Sequence, residues 1–218
     1  MDKYVIGFNG SPRKNWNTAI LLEKALAGAA SKGVGTELVH LYDLDFKGCA
    51  SCFACKTKGG KSLGRCARQD GLTPYLEKAF RAEAIFLGSP IYLGTASGGM
   101  RSCIERLFFP YLTYTNPSGT LFPRKIPVGL LYAMNTPDGG LDQGTAACGQ
   151  TLRVVEGMAS RIFGRSESLH CFDTWQFDDY SKFEASRFNA AAKARRRQEV
   201  FPLDCKKAFA MGARFMAG

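Results

Sequence analysis

Short apolar runs alternate along this chain with segments of helical period, and this alternation narrows the possible folds more than any other feature. YVIGFNG (4–10), TELVHLY (36–42), AIFLGSP (84–90), IPVGLLYAMN (126–135) and SLHCFDTW (168–175) read as strands. AILLEKALAGAASKG, after the first strand, gathers Ile20, Leu21, Leu22, Ala25 and Leu26 on one side. Further helices are predicted over Leu72–Arg81, within SGGMRSCIERLFF (97–109), over Gly144–Phe163, and from Lys182 onward with a break near Pro202. Strands that alternate with helices call for a parallel sheet covered on both faces, an α/β architecture. Five strands predict a doubly wound order 2-1-3-4-5, with a binding site outside the carboxyl ends of strands one and three. No repeat or linker divides the chain, so residues 1–218 are expected to form one domain. A cysteine-rich loop (48–66) and a helical C-terminal tail are its additions.

The bulk numbers leave a narrower set of functions. There is no apolar run long enough for a membrane span and no signal-peptide pattern, so a cytoplasmic protein with no membrane partner is expected. In that compartment the eight cysteines are expected to be ligands or buried thiols before disulfides. The net charge of +10 raises the question of nucleic acid. Much of the charge is local, in Lys193, Arg195, Arg196 and Arg197, with neither interleaved aromatics nor a recognition motif. That cluster reads as a solvated helix face, and nucleic acid is not the expected partner. The overall positive field would still attract an anionic cofactor or substrate.

Between the first strand and the first helix lies GSPRKNWNT (10–18). Gly10 permits a tight turn, and the amides after it can point at an anion near the positive end of the helix. Ser11, Asn17 and Thr18 add polar donors and Arg13 adds charge. Asn17 as a simple helix cap, with Arg13 facing water, is the competing reading. Two other glycine patterns fail. The stretch ending GGKS at Ser62 has Cys55 where a triphosphate loop needs its first glycine, and Asn9 stands where a G-x-G-x-x-G fingerprint needs its second. The loop suits one phosphate group, not a pyrophosphate.

GCASCFACKTKGGKSLGRC, from Gly48, places four cysteines in nineteen residues. The CxxCxxC run of Cys49, Cys52 and Cys55 can direct successive thiolates to different irons of a cubane, with Cys66 as the fourth ligand. A tetrahedral zinc site and uncoordinated or redox-active thiols remain alternatives. Neither His40 nor His170 falls in the loop, and His40 reads as structural. Cys103, Cys148 and Cys171 sit in helix or strand patterns and read as small buried apolar residues, with Cys205 undecided.

GSPRKNWNT, SPIYLGTASGGMRSCIERL and the five-strand pattern together resemble the flavodoxin-like NAD(P)H-dependent FMN reductases over roughly the first 170 residues. With the cysteine loop, the resemblance is greatest to their iron-sulfur flavoprotein branch. It implies a flavodoxin-like three-layer sandwich that binds FMN. Ser11, Arg13, Asn17 and Thr18 would hold the phosphate. Pro90, Ile91, Tyr92, Leu93 and Gly94 would pass along the isoalloxazine, while Asn135, Thr136 and Asp138 would complete the other side. Tyr92 as a core aromatic is the alternative there. The branch also implies a [4Fe-4S] cluster on Cys49, Cys52, Cys55 and Cys66, although the ten residues before Cys66 exceed its usual spacing. The implied activity is FMN-dependent NAD(P)H oxidoreduction, with FMN carrying the chemistry and no catalytic side chain assigned. A nicotinamide or a reduced electron-transfer protein would donate electrons to a quinone, flavin or protein acceptor. An FMN-binding electron carrier without turnover and a reductase without any cluster are the alternatives. A homodimer, or a tetramer of such dimers, is expected, with Phe108, Phe109, Tyr111, Tyr114 and Phe122 as the candidate interface.

Overall fold

A computed structural model describes residues 3–142 and 148–217. Its sheet comprises β1 (Tyr4–Asn9), β2 (Gly35–His40), β3 (Ala84–Tyr92), β4 (Thr95–Ala96), β5 (Ile126–Ala133) and β6 (Gly164–Cys171). The helices are α1 (Asn17–Ala30), α2 (Thr73–Arg81), α3 (Gly98–Phe108), α4 (Gly149–Phe163), α5 (Ala190–Glu199) and α6 (Phe201–Phe215). The long strands run parallel in the order β2-β1-β3-β5-β6, and the two-residue β4 folds back antiparallel on β3. Without β4 this is the predicted 2-1-3-4-5 order of a flavodoxin-like sandwich.

Inner strands are apolar throughout because both their faces are covered. Ile6, Phe8, Ile85, Leu87, Val128 and Leu130 pack in one core with residues of α2, α3 and α4. Val5, Ala84, Phe86 and Leu131 point the other way, into a core shared with α1 and α6. The edge strands differ: β2 (GTELVH) and β6 (GRSESLHC) are mostly exposed or half-buried. That explains one correction. The last strand begins at Gly164, not Ser168, and ends at Cys171, so Phe172–Trp175 leave the sheet. The predicted start of α4 at Gly144 lies outside the described residues, whereas Gly149–Phe163 are helical.

Two further expectations change. Lys193 of the basic cluster is buried, not solvated. Its Nζ meets Asp173 and Asn135, and Arg196 pairs with the buried Asp204 at 3.0 Å. Of the proposed interface aromatics, Phe108, Tyr111 and Phe122 are core residues clustered around Phe163, and Tyr114 alone is strongly exposed. The loop 109–127 therefore folds back on its own domain. Cys103, Cys148 and Cys171 are buried as expected. Burial pushes the Cys103 thiol up to about 12.

Helix α6 crosses α1 at a contact only glycine permits. A Cβ on Gly212 would lie 1.8 Å from the Ala25 carbonyl oxygen, and one on Gly28 would lie 2.0 Å from that of Phe209.

The cysteine loop is fastened to α3 by Arg106, whose side chain is 0 % exposed. All five guanidinium N–H groups have partners. Nε donates to Cys66 Sγ at 2.9 Å, and the two terminal nitrogens donate to both Asp70 oxygens (2.7 and 3.2 Å). They also reach the carbonyls of Lys47 (2.9 Å) and Arg68 (3.1 Å). Burial raises the Asp70 carboxyl, but the Arg106 hydrogen bonds and the Leu72 amide outweigh it and hold Asp70 below the ordinary aspartate value.

Gly212→Ala should cost about 1–3 kcal/mol in a urea titration, because the forced separation of α1 and α6 disturbs a packed core. An unchanged midpoint would contradict the contact. Asp70→Ala should cost roughly 3 kcal/mol or more, since it strands the Arg106 charge. The depressed Asp70 carboxyl contributes stability above its unfolded value, about 3.9. That contribution is lost as pH falls through the lower folded value. Wild type should therefore lose more stability than Asp70→Asn when denaturation is compared between neutral pH and acid below that range.

Candidate functional site

The carboxyl ends of β1, β3 and β5 open into a cavity of about 180 Å³. Its position is the crevice expected where the strand order reverses. The floor is the β1–α1 loop. Gly10 continues the sheet by donating to the Gly88 carbonyl at 2.8 Å, and a Cβ there would strike Met100 at 2.6 Å. Ser97, the N-cap of α3, donates back to the Gly10 carbonyl. The buried Asn9 accepts from the Ser11 amide at 3.0 Å, while its Nδ2 lies 3.0 Å from His40 Nδ1. Ser11 Oγ accepts from the Arg13 amide at 3.1 Å. Asn9 and His40 thus shape the turn from below, a role their positions in strand patterns concealed.

Helix α1 starts without a side-chain cap and without an acidic residue in its first turn. Its first amides and the helix dipole therefore favour an anion. Ser11, Arg13, Asn17, Thr18, Pro90, Ile91, Tyr92 and Asn135 all line this cavity. Leu93, Gly94, Thr136 and Asp138 do not. Leu93 and Gly94 form the exposed left-handed turn before β4, and the exposed Asp138 accepts from the Gly139 amide. Tyr92 is 47 % exposed, so it is no core aromatic.

Sequence reasoning missed the far wall. Thr174 and Trp175, in the segment expected to be strand, and Gln176 and Phe177 just beyond it face the phosphate loop, joined by Trp16. Arg13 donates to the Gln176 carbonyl at 2.5 Å and stacks 3.8 Å above Trp16. Trp16 Nε1 (3.0 Å) and Asn17 Nδ2 (2.7 Å) both donate to the Trp175 carbonyl. Asn17 is therefore not the helix cap. Gln176 Oε1 is buried with no hydrogen-bond partner among the described residues. An apolar wall, an anion-binding turn and an orphaned acceptor fit a flat ligand that carries hydroxyl groups and one phosphate, as FMN does.

A second cavity, of about 30 Å³, is lined by Cys49, Cys52, Cys55 and Cys66 together with Phe53, Phe109, Glu105 and Arg106. Ser51 and Phe53 adopt left-handed φ values of 51° and 55°, rare for non-glycine residues, and so turn the chain around the cysteines. Sulfur acceptors meet N–H donors here: Ser51 N lies 3.4 Å from Cys49 Sγ, and Arg106 meets Cys66. Glu105 receives the Cys49 amide at 3.1 Å. Lys56 Nζ donates to the carbonyls of Phe109, Pro110 and Leu112. Burial raises the Cys55 thiol and lowers the Lys56 ammonium. Among the described residues no three His, Cys, Asp or Glu groups converge tightly enough for one metal ion. Cys49, Cys52, Cys55 and Cys66 nevertheless all line this one cavity, and thiolates are ligands of iron-sulfur clusters.

Over 102 residues, 47 % of this chain, the sequence is 36 % identical to an iron-sulfur flavoprotein of Methanocaldococcus jannaschii, covering 50 % of it. It is 35 % identical over 102 residues to an iron-sulfur flavoprotein of Archaeoglobus fulgidus, covering 47 % of each chain. These matches span about half the length of the curated relatives. The fold superposes on an NAD(P)H:quinone oxidoreductase from Methanothermobacter marburgensis with a TM-score of 0.70 and 14 % identity, covering 100 % of this chain and 99 % of that one. An azoreductase from Bacillus anthracis gives 0.65 and 14 %, with 98 % and 100 % covered. Residues 4–154 match the family described as NADPH-dependent FMN reductase, and the chain belongs to that family.

Proposed function

We propose that the protein is an FMN-dependent oxidoreductase that takes electrons from NAD(P)H and passes them to a quinone, flavin or protein acceptor. The cavity at the switch between β1 and β3, floored by the phosphate loop, carries this reading. FMN when bound supplies the hydride and electron chemistry.

The chain binds, orients and shields. Ser11, Thr18 and the first amides of α1 receive the phosphate, and Arg13 offsets its charge from a guanidinium already oriented by Gln176 and Trp16. Pro90, Ile91 and Tyr92 at the end of β3, with Ala133, Met134 and Asn135 at the neighbouring end of β5, would hold the ring. Trp175 and Phe177 exclude water from the remaining side. The exposed ring of Tyr92 leaves that rim open to a nicotinamide or an acceptor. Leu93, Gly94, Thr136 and Asp138, also implied by the resemblance, border this rim through the β3–β4 turn and the loop after β5, without lining the cavity itself.

We assign Cys49, Cys52, Cys55 and Cys66 as ligands of one [4Fe-4S] cluster, which would supply one-electron transfer. The shared cavity and the iron-sulfur flavoprotein relatives support this assignment. Arg106 ties Cys66 to α3, and Lys56 ties the middle of the loop to the segment after α3. A homodimer, paired again into a tetramer or not, is the proposed assembly. Its interface now excludes the buried Phe108, Tyr111 and Phe122.

Protein purified anaerobically should show flavin absorption that bleaches rapidly on addition of NADPH or NADH. Flavin that stays oxidised with both would leave an electron carrier instead of a reductase. Arg13→Ala should weaken FMN binding by about ten-fold or more, the loss of one charge-assisted contact. Reconstituted wild type should hold iron and sulfide that a Cys52→Ser variant largely loses, with FMN retained in both. Wild type with less than about one iron per chain would reduce these cysteines to free thiols.

A further inference from the structure

Helix α5 lies beyond the segment that matches the family, yet two of its cations reach the walls of the cofactor cavity. Lys193 Nζ bonds Asn135 at the end of β5 and Asp173 and Thr174 after β6. One turn later, Arg197 donates from NH1 to Asn17 Oδ1 at 2.8 Å. The guanidinium also sits 4.1 Å above the Phe201 ring. Burial lowers its pKa, with Cys205 and Cys171 nearby opposing that shift.

Both ends of the Asn17 side chain are thereby committed. Nδ2 is spent on the Trp175 carbonyl and Oδ1 on Arg197, so neither is free to turn toward a phosphate. What Asn17 offers an anion is its backbone N–H, in the first turn of α1. The chain of contacts runs from Arg197 through Asn17 to Trp175, across the gap between the phosphate loop and the far wall. Arg197 does not line the cavity and forms no ion pair with an acid among the described residues.

We infer that Arg197 is a positioning residue for the phosphate end of the cofactor. It locks Asn17 so that the α1 amides face the anion, and it places an uncompensated positive charge behind the helix start. The idea rests on the FMN reading above and adds a residue from α5 to it. Its effect is confined to the phosphate. The wall contacts that Lys193 holds serve the ring side.

The test compares FMN with riboflavin, which lacks the phosphate, by titrating apoprotein of wild type, Arg197→Ala and Arg197→Lys. Wild type should prefer FMN. Arg197→Ala should bind FMN about ten-fold more weakly, as expected for a lost charge-assisted bond, while its riboflavin affinity stays the same. Arg197→Lys should recover part of the loss, because a charge returns without the planar fork. Equal weakening of both flavins in Arg197→Ala would mean a general structural role and would overturn the inference. Unchanged FMN affinity would overturn it too and leave the FMN reading standing. If wild type bound neither flavin, the functional reading itself would fall, and this inference with it.

Discussion

Parallel pairing of β1 with both β2 and β3 is the constraint on which the rest of the structure depends. A parallel neighbour cannot be reached by a hairpin, so each connection must cross over a face of the sheet. The chain leaves β1 toward β2 over one face, through α1, and leaves β2 toward β3 over the other, through α2. The carboxyl ends of β1 and β3 are therefore left with no connection packed between them, and a crevice opens there. The phosphate loop, the β3–β4 turn and the cysteine insert after β2 all begin at this edge. One topological choice thus starts the glycine turn after β1 and the cysteine insert after β2 from the same edge of the sheet.

The insert from Lys47 to Asp70 has little apolar material to bury, so charge and hydrogen bonds shape it. Arg106 serves Cys66, Asp70 and two carbonyls from a single buried guanidinium, and Lys56 gathers three carbonyls of the segment that follows α3. A planar fork with five donors can do this where a lysine could not. Desolvating Arg106 is costly, and only the full set of partners offsets it. The four cysteines line one cavity in a loop held by these protein contacts. The loop is pre-organised, and a cluster bound there would have less chain to order.

The parts of the fold that bury apolar surface on both sides could be read directly. Inner strands such as AIFLGSP and IPVGLLYA announce themselves by continuous apolar runs, and GSPRKNWNT by its place between a strand and a helix. The edge strand β6 was legible only in its second half, because RSES faces water on one side. Sliding that strand four residues forward hid Thr174 and Trp175, which line the candidate site because they leave the sheet. Asn9 and His40 were hidden differently. Their side chains act across two strands brought together by a register that no local pattern encodes. Aromatic clustering misled for a similar reason, since Phe108, Tyr111 and Phe122 meet Phe163 of α4 from distant sequence.

The net charge of +10 is the clearest case of a number whose meaning depends on location. Arg106, Lys193 and Arg196 are each matched by a carboxylate and contribute nothing to that excess. Arg13 and Arg197 form no ion pair among the described residues; Arg13 lies in the loop before α1 and Arg197 bonds Asn17, its first residue. Their charges add to the helix dipole at a partly enclosed wall, where low dielectric strengthens the field. Of the basic cluster on α5, Lys193 and Arg196 are internal ties, Arg197 bonds the start of α1, and Arg195 is exposed. A duplex would need an exposed row of such charges, whereas a single phosphate needs only this convergence.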